Sequence, residues 1–232
     1  MNFESVVELA HAEGRDLLNE VEAKQLLAQA GVPVVETVLA SSVEEAKLAA
    51  EKIGYPVVVK VVSADISHKS DVGGVKIGLA DAEEVSEAYQ AIMENSREAV
   101  PDAVITGVAV QGMASEGIEV IVGMVRDPQF GPVMMFGLGG IFVELLKDVS
   151  FRVLPLAERD ARQMIDDIKG QAILDGVRGQ AAADKTALCQ LILKVGQFIE
   201  QHPEIQELDM NPVFAYAEGA VAVDARIVLH RE

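Results

Sequence analysis

The sequence predicts an α+β fold in two lobes, with helices and strands mixed rather than strictly alternating. Helical and extended patterns follow one another without the regular βαβ order of a doubly wound sheet. Three consecutive strands are expected mid-chain, over 104–111, 118–125 and 132–136. The 232 residues also exceed the roughly 150 of an average domain, so one large domain or two lobes would fit the length. Half of the residues are hydrophobic, enough for a substantial core, but only 4% are aromatic and none is Trp, so that core must be built from Val, Ile, Leu, Ala and Met.

Residues 2–13 read as a short polar amphipathic helix rather than a leader, and 19–30 as a second helix with Ala23, Leu26, Leu27 and Ala30 on one face. Gly31-Val32-Pro33 stops it, because Gly suits the position after a helix and Pro cannot continue one. A strand is expected over 34–40, then a helix over 42–53 opened by Ser42 with Glu45 three residues on. Gly54-Tyr55-Pro56 turns the chain into a β-branched strand, 57–62, that carries a single lysine, Lys60. A polar loop, 63–74, leads to a short strand, 75–79. Asp81 caps a helix to residue 98 whose apolar stripe is Val85, Ala88, Tyr89, Ile92 and Met93. After the three mid-chain strands come a glycine cluster (Gly137, Gly139, Gly140), a strand at 151–155 and helices at 157–168 and 185–200, the second burying Leu188, Leu191, Ile192, Val195 and Ile199. A hairpin with its turn at Glu218-Gly219 closes the chain. The natural hinge is near Gln111-Gly112, which divides the chain into an N-terminal helical segment (1–18), a first lobe (19–112) and a second lobe (113–232).

A formal charge of −18 argues against nonspecific nucleic-acid binding, which relies on clustered Lys and Arg. It does not argue against a phosphorylated ligand, since a few placed lysines and a divalent cation decide the local potential. The apolar runs are far shorter than the roughly 20 residues of a membrane span, so no membrane association is expected. The single cysteine, Cys189, rules out an intrachain disulfide, reads as core filler and fits a reducing cytoplasm.

Four groups of residues could carry chemistry. Lys60 shares a strand face with Val58 and Val62, where a lysine is costly unless its ammonium meets an anion such as phosphate; the alternative is an edge strand with Lys60 in solvent. In the loop after it, Gly73 and Gly74 would let backbone N–H groups approach an anion, with Ser67, Lys69 and Ser70 as further donors. His68 lies among them. A neutral imidazole can accept a phosphoryl group reversibly, although a loop histidine is also an ordinary surface residue. The spacing is not that of a P-loop. Asp209 and Asn211, two apart on a strand, face one side, and Asp224 lies on the partner strand; these are hard ligands suited to Mg²⁺, unless Asn211-Pro212 merely makes a turn. Glu119, by its alternation with Ile121, is expected to face inward. The cluster Gly137–Gly140 would bind an anion or allow tight packing, and Arg152 would meet a phosphate or form an ion pair.

Together the stretches Gly54-Tyr55-Pro56-Val57-Val58-Val59-Lys60, His68-Lys69-Ser70-Asp71-Val72-Gly73-Gly74-Val75, Asp127-Pro128-Gln129-Phe130-Gly131-Pro132, Gly137-Leu138-Gly139-Gly140 and Leu208-Asp209-Met210-Asn211-Pro212 resemble the ATP-grasp subunit of the NDP-forming acyl-CoA synthetases, relatives of succinyl-CoA synthetase. The resemblance covers nearly the whole chain, and the histidine loop is its specific part. It implies an ATP-grasp fold with the nucleotide between two lobes, and an acid–thiol ligase (acetate–CoA ligase, ADP-forming) as the activity. Lys24 and Lys60 would serve the nucleotide. Gln111, with Gly112 and Met113, would form the adenine hinge, where relatives often have Glu. Glu119 would bind ribose, and Asn211 and Asp224, with Asp209 close by, would hold Mg²⁺. His68 would relay phosphate between ADP/ATP and a phosphohistidine on a CoA-binding α subunit, in an α2β2 assembly. A regulatory ATP-grasp module of an acyltransferase, against which the intact Lys60, His68, Glu119, Asn211 and Asp224 argue, and a stand-alone carboxylate ligase, which would need no phosphorylatable histidine, are the alternatives.

Overall fold

The computed structural model describes residues 2–66, 68–140, 148–177, 179 and 181–230. It divides into two compact units: Asn19–Lys24 with Val35–Ser115, and Met1–Leu18 with Gln25–Val34 and Glu116–Glu232. The boundary in the second half of the chain therefore follows Ser115, three residues beyond the expected hinge, and the N-terminal segment is grouped with the C-terminal unit.

The first unit is a four-stranded antiparallel sheet covered by two helices. Its strands are β2 (Thr37–Ala40), β3 (Val57–Ser63), β4 (Val75–Leu79) and β5 (Ile105–Gly112), in the order β2-β5-β3-β4. Alternation along β3 and β5 gives the sheet two different faces. Val57, Val59, Val61, Val108 and Val110 meet Ala46, Ala49 and Ala50 of α3 (Val43–Ile53) and Val85, Tyr89 and Ile92 of α4 (Ala82–Ala99). Each such valine contributes about 1.5–3 kcal/mol by leaving water. On the opposite face Val62 and Ala109 meet Val21 of helix α2 (Glu20–Gln29), and the polar Lys60 and Gln111 are buried with them. Both helix starts follow the expected capping. Ser42 Oγ accepts from the Glu45 amide, and Asp81 Oδ1 accepts from Glu83 and Glu84. Glu45, however, reaches back to Ser41 rather than closing a box on Ser42.

The second unit holds an antiparallel sheet in the order β1-β11-β9-β6-β7-β8, with β10 also paired to β9. Its strands are β1 (Leu17–Leu18), β6 (Ile118–Asp127), β7 (Gly131–Leu138), β8 (Val149–Val153), β9 (Ile205–Ala215), β10 (Ala220–Ala222) and β11 (Arg226–Leu229). Helix α5 (Glu158–Asp167) packs on β7 and β8, and α6 (Lys185–Gln201) buries the expected stripe from Leu188 to Ile199 together with Cys189. Asp184 ties α6 to the final hairpin, its Oδ1 accepting from the Ala187 amide and its Oδ2 from Gly219. Residues 128–130 make the turn between β6 and β7: Asp127 Oδ1 accepts from the amides of Gln129 and Phe130, and Gly131 follows at φ +74°.

The expected strand 34–40 is shortened because its backbone changes partners. Val34 bridges to Ala222 in the second unit, whereas Thr37–Ala40 pair with β5 in the first.

Helix α1 (Phe3–Ala12), capped by Asn2, docks through an aromatic cluster: Phe3 stacks on the His202 ring at 3.7 Å and meets Phe198 edge-on at 5.9 Å. Burial lowers the His202 imidazole below its ordinary value of 6.5, while Glu204 and Glu4 pull it back up. The unfolded chain then binds a proton here more readily than the folded one, so stability is complete above pH 6.5 and declines as pH falls below it. We expect the melting temperature to drop between pH 7.5 and pH 5.5 (roughly the span over which an unperturbed histidine charges), and that slope to flatten in His202→Gln. Equal slopes in the two proteins would show that this stack does not couple to pH.

Candidate functional site

The polar face of the four-stranded sheet holds a cluster that converges on one carboxylate. Glu20, the first residue of α2, is 6% exposed. Its Oε1 accepts from Lys24 Nζ at 2.9 Å and Lys60 Nζ at 2.8 Å, and its Oε2 from Lys69 Nζ at 2.7 Å. Burial alone would push the Glu20 carboxyl up. Lys60, then Lys24 and Lys69, overcome that and hold it ionised well below the usual carboxylate range. These four side chains carry two more positive charges than negative, a local excess within a chain of net charge −18. A phosphate group suits such a cluster.

Lys60 is 7% exposed and lies mid-strand in β3 between β5 and β4, so the edge-strand alternative does not hold. Lys24, 2% exposed, donates to Thr37 Oγ1 at 3.0 Å and Gln111 Oε1 at 2.7 Å as well as to Glu20. An ammonium has three protons to give, and Lys24 donates to three oxygens here. Gln111 is 2% exposed, and its Oε1 accepts from Lys24 on the β5 face that it shares with Ala109. The Gly112 and Met113 amides donate to the carbonyls of Glu36 and Pro56.

In the histidine loop, Lys69 is bound to Glu20, and His68 beside it is exposed. Ser67 lies outside the described residues. The two glycines do not offer their amides to an anion: Gly73 N–H donates to Ser70 O at 3.1 Å and Gly74 N–H to Lys69 O at 2.8 Å. Gly74 is there for space, since a Cβ would stand 2.6 Å from Val61 Cγ1 and 2.9 Å from Lys69 O. Among the described residues the Gly73 and Gly74 amides thus close turns, with His68 exposed before them.

The second unit carries the acidic group. Asp209 and Asn211 lie within β9, which excludes the turn alternative for Asn211-Pro212. Asp224 is not on a strand. It sits in the break between β10 and β11, its Oδ1 accepting from the Ala225 amide. Asp209 is half-buried opposite Arg226, and burial raises its carboxyl, Arg226 lowers it and Asp224 raises it again. Two neighbouring carboxylates and an amide oxygen are hard donors, fewer than an all-protein cage; among the described residues no group of three or more His, Cys, Asp or Glu could hold a metal. That set fits Mg²⁺, which takes one or two carboxylates and keeps water or phosphate oxygens in its other positions.

Glu119 is exposed rather than inward-facing, being the second residue of β6, before that strand's buried run begins at Val120. It pairs across the sheet with Phe214. The glycine cluster packs against it: Gly139 N–H donates to Glu119 O at 2.8 Å, and Cβ atoms on Gly139 and Gly140 would come 2.9 Å from Glu119 Cβ and 3.1 Å from its Oε2. Tight packing is therefore the reading that holds for Gly139 and Gly140. Arg152 pairs with Asp167, which settles it as a structural ion pair.

Glu20, the centre of the lysine cluster, was not legible as a site residue. One local signal existed, its i,i+4 spacing from Lys24, but its partners Lys60 and Lys69 are 40 and 49 residues away.

We expect Gly74→Ala to lower stability by about 1–3 kcal/mol through overpacking against Val61 and Lys69 O, measured by urea unfolding without nucleotide. An unchanged midpoint would return Gly74 to an anion-binding role.

A family model described as an ATP-grasp domain matches residues 9–229. The acetate–CoA ligase [ADP-forming] I subunit beta of Pyrococcus furiosus is 53% identical over 224 residues, covering 97% of this chain and 96% of that one. The structure of dinucleotide-forming acetyl-coenzyme A synthetase 1 from Ca. Korarchaeum cryptofilum with coenzyme A and Ca-AMPCP matches with a TM-score of 0.95 and 48% identity, over 98% of this chain and 99% of that chain. A second structure of that enzyme, with coenzyme A and Mg-AMPPCP and its phosphohistidine segment pointing towards the nucleotide site, gives a TM-score of 0.87 and 45% identity over 98% and 99% of the two chains. With a family model spanning nearly its whole length and a relative covered almost end to end, the chain belongs to the ATP-grasp family of ADP-forming acetate–CoA ligase β subunits.

Proposed function

We propose that this chain is the nucleotide-binding β subunit of an ADP-forming acyl-CoA synthetase, acting on acetate or a related acid, and that it moves a phosphoryl group between His68 and ADP. The observation that carries the reading is the pairing of an exposed histidine with a buried lysine cluster through the adjacent Lys69, in a chain half identical to such a subunit. The enzyme as a whole converts acyl-CoA, ADP and phosphate to acid, CoA and ATP. Coenzyme A binding and acyl chemistry belong to an α subunit, which carries its own phosphohistidine, and the two assemble as α2β2.

The nucleophile is a ring nitrogen of His68. It attacks the phosphorus of the partner's phosphohistidine, the N–P bond there breaks, and the partner's imidazole leaves. In the second transfer a terminal β-phosphate oxygen of ADP attacks phosphorus on His68, the new O–P bond gives ATP, and His68 is regenerated. Lys60 holds nucleotide phosphate oxygens, and Lys24 adds charge from behind. Positioning and charge neutralisation supply most of the rate in such transfers. Asp209, Asn211 and Asp224 are the residues that would hold Mg²⁺, which when bound neutralises nucleotide phosphate charge. Glu119, steadied by Gly139 and Gly140, would accept from ribose hydroxyls. No helix among the described residues is long and apolar enough to cross a membrane, and the one buried cysteine fits a cytoplasmic enzyme.

The direct test is ADP formation from ATP, acetate and coenzyme A, with this chain alone and with an α subunit. Activity only in the pair is expected; turnover by the chain alone would point to a stand-alone ligase. In the complex, His68→Ala should keep the fold and nucleotide affinity but reduce turnover by about a thousandfold or more. Undiminished turnover would remove His68 from the reaction. Asp224→Asn should raise the Mg²⁺ concentration needed for half-maximal nucleotide binding by about tenfold, and an unaltered Mg²⁺ titration would exclude Asp224 as a ligand.

A further inference from the structure

Glu20 has no part in the reaction as described, yet it touches Lys24, Lys60 and Lys69 together. Its two oxygens divide the work. Oε1 takes the ammonium groups of α2 and the central strand, and Oε2 takes the ammonium of the histidine loop. Among the described residues of the loop, Ile66 and Val72 pack on the sheet's core, the Asp65 carboxylate accepts from the Val104 amide, and Gly74 O accepts from Val61 N–H. None of these residues is next to His68. Lys69 is, and its bond to Glu20 joins the residue beside His68 to the carboxylate that holds Lys60.

We propose that Glu20 is a positioning residue for phosphoryl transfer, which through Lys69 sets the place of the His68 loop relative to the phosphate-binding Lys60. The inference rests on the reading of His68 as phosphate acceptor. Its physical basis is that transfer requires the acceptor nitrogen in line with a phosphate held by Lys60, and a displacement of about 1 Å costs on the order of a hundredfold in rate. A phosphate arriving at Lys60 competes with Oε1 for that ammonium, whereas the bond from Oε2 to Lys69 involves a different oxygen and a different lysine. Nucleotide can therefore enter without releasing the loop.

The test uses the reconstituted complex and three readouts: nucleotide affinity, kcat for ATP formation, and amide hydrogen exchange across residues 63–74. Lys69→Met removes the loop tether and leaves Lys24 and Lys60 on Glu20. It should lower kcat by about a hundredfold, speed exchange in the loop, and leave nucleotide affinity within about twofold, a change near the limit of what such comparisons resolve. Glu20→Gln should give the same fall in kcat and the same loosening, with nucleotide affinity equal or tighter because the competing carboxylate is gone. Should Glu20→Gln fail to fold, Lys69→Met alone decides. Wild-type kcat and exchange in Lys69→Met would overturn the proposal, as would parallel losses of kcat and nucleotide affinity, which mark a merely structural or ligand-binding role. If the wild-type complex makes no ATP, the functional reading fails instead; a working wild type with an unaffected Lys69→Met overturns only the tether.

Discussion

The buried contact between one carboxylate and three ammonium groups constrains the rest of the first unit. A lysine in the middle of a central strand, such as Lys60, is tolerated only where an anion meets it, and Glu20 is that anion. Losing one partner of a buried pair commonly costs about 3–5 kcal/mol, because the remaining charge is left without compensation. The cluster thus ties together three pieces of chain: the start of α2, the middle of β3 and the histidine loop. Gln111 and Thr37 complete it by taking the remaining protons of Lys24, which explains two further buried polar groups on an otherwise apolar sheet face.

The same arrangement explains how an acidic chain handles a highly charged nucleotide. Net charge governs solubility and long-range repulsion, but within about 10 Å the local lysines dominate. Acidic residues are concentrated elsewhere, on helix surfaces such as the starts of α3 and α4 and in the β9–β11 region, where burial and the neighbouring Asp224 raise the Asp209 carboxyl against the pull of Arg226. The two charge patterns belong to separate compact units.

Much of the fold was legible from the sequence because its elements are locally consistent. Asp81 and Ser42 cap the helices expected of them, the apolar stripes of α4 and α6 are buried as their periodicity implies, and the mid-chain strands lie within a residue or two of the expected limits. What escaped was set by distant partners. Val34 pairs with Ala222, so the first expected strand divides, and Glu119 meets Gly139 and Gly140 across the sheet instead of turning inward. The site was legible as residue types but not as contacts. Lys60, His68 and the carboxylates were visible as candidates, whereas the turn bonds of Gly73 and Gly74, the inward turn of Gln111 and the hub at Glu20 depend on pairings many residues apart. Glycine pairs in particular read ambiguously, since the same residue serves an anion cradle and a close backbone approach.

The central claim, that His68 carries the phosphoryl group, is tested most directly by incubating the chain with Mg²⁺ and ATP labelled in its γ-phosphate and locating acid-labile phosphate by mass spectrometry under alkaline quench. The account predicts label on His68 that is discharged when ADP is added. Nucleotide bound without any label, or label that resides stably on another side chain, would contradict it.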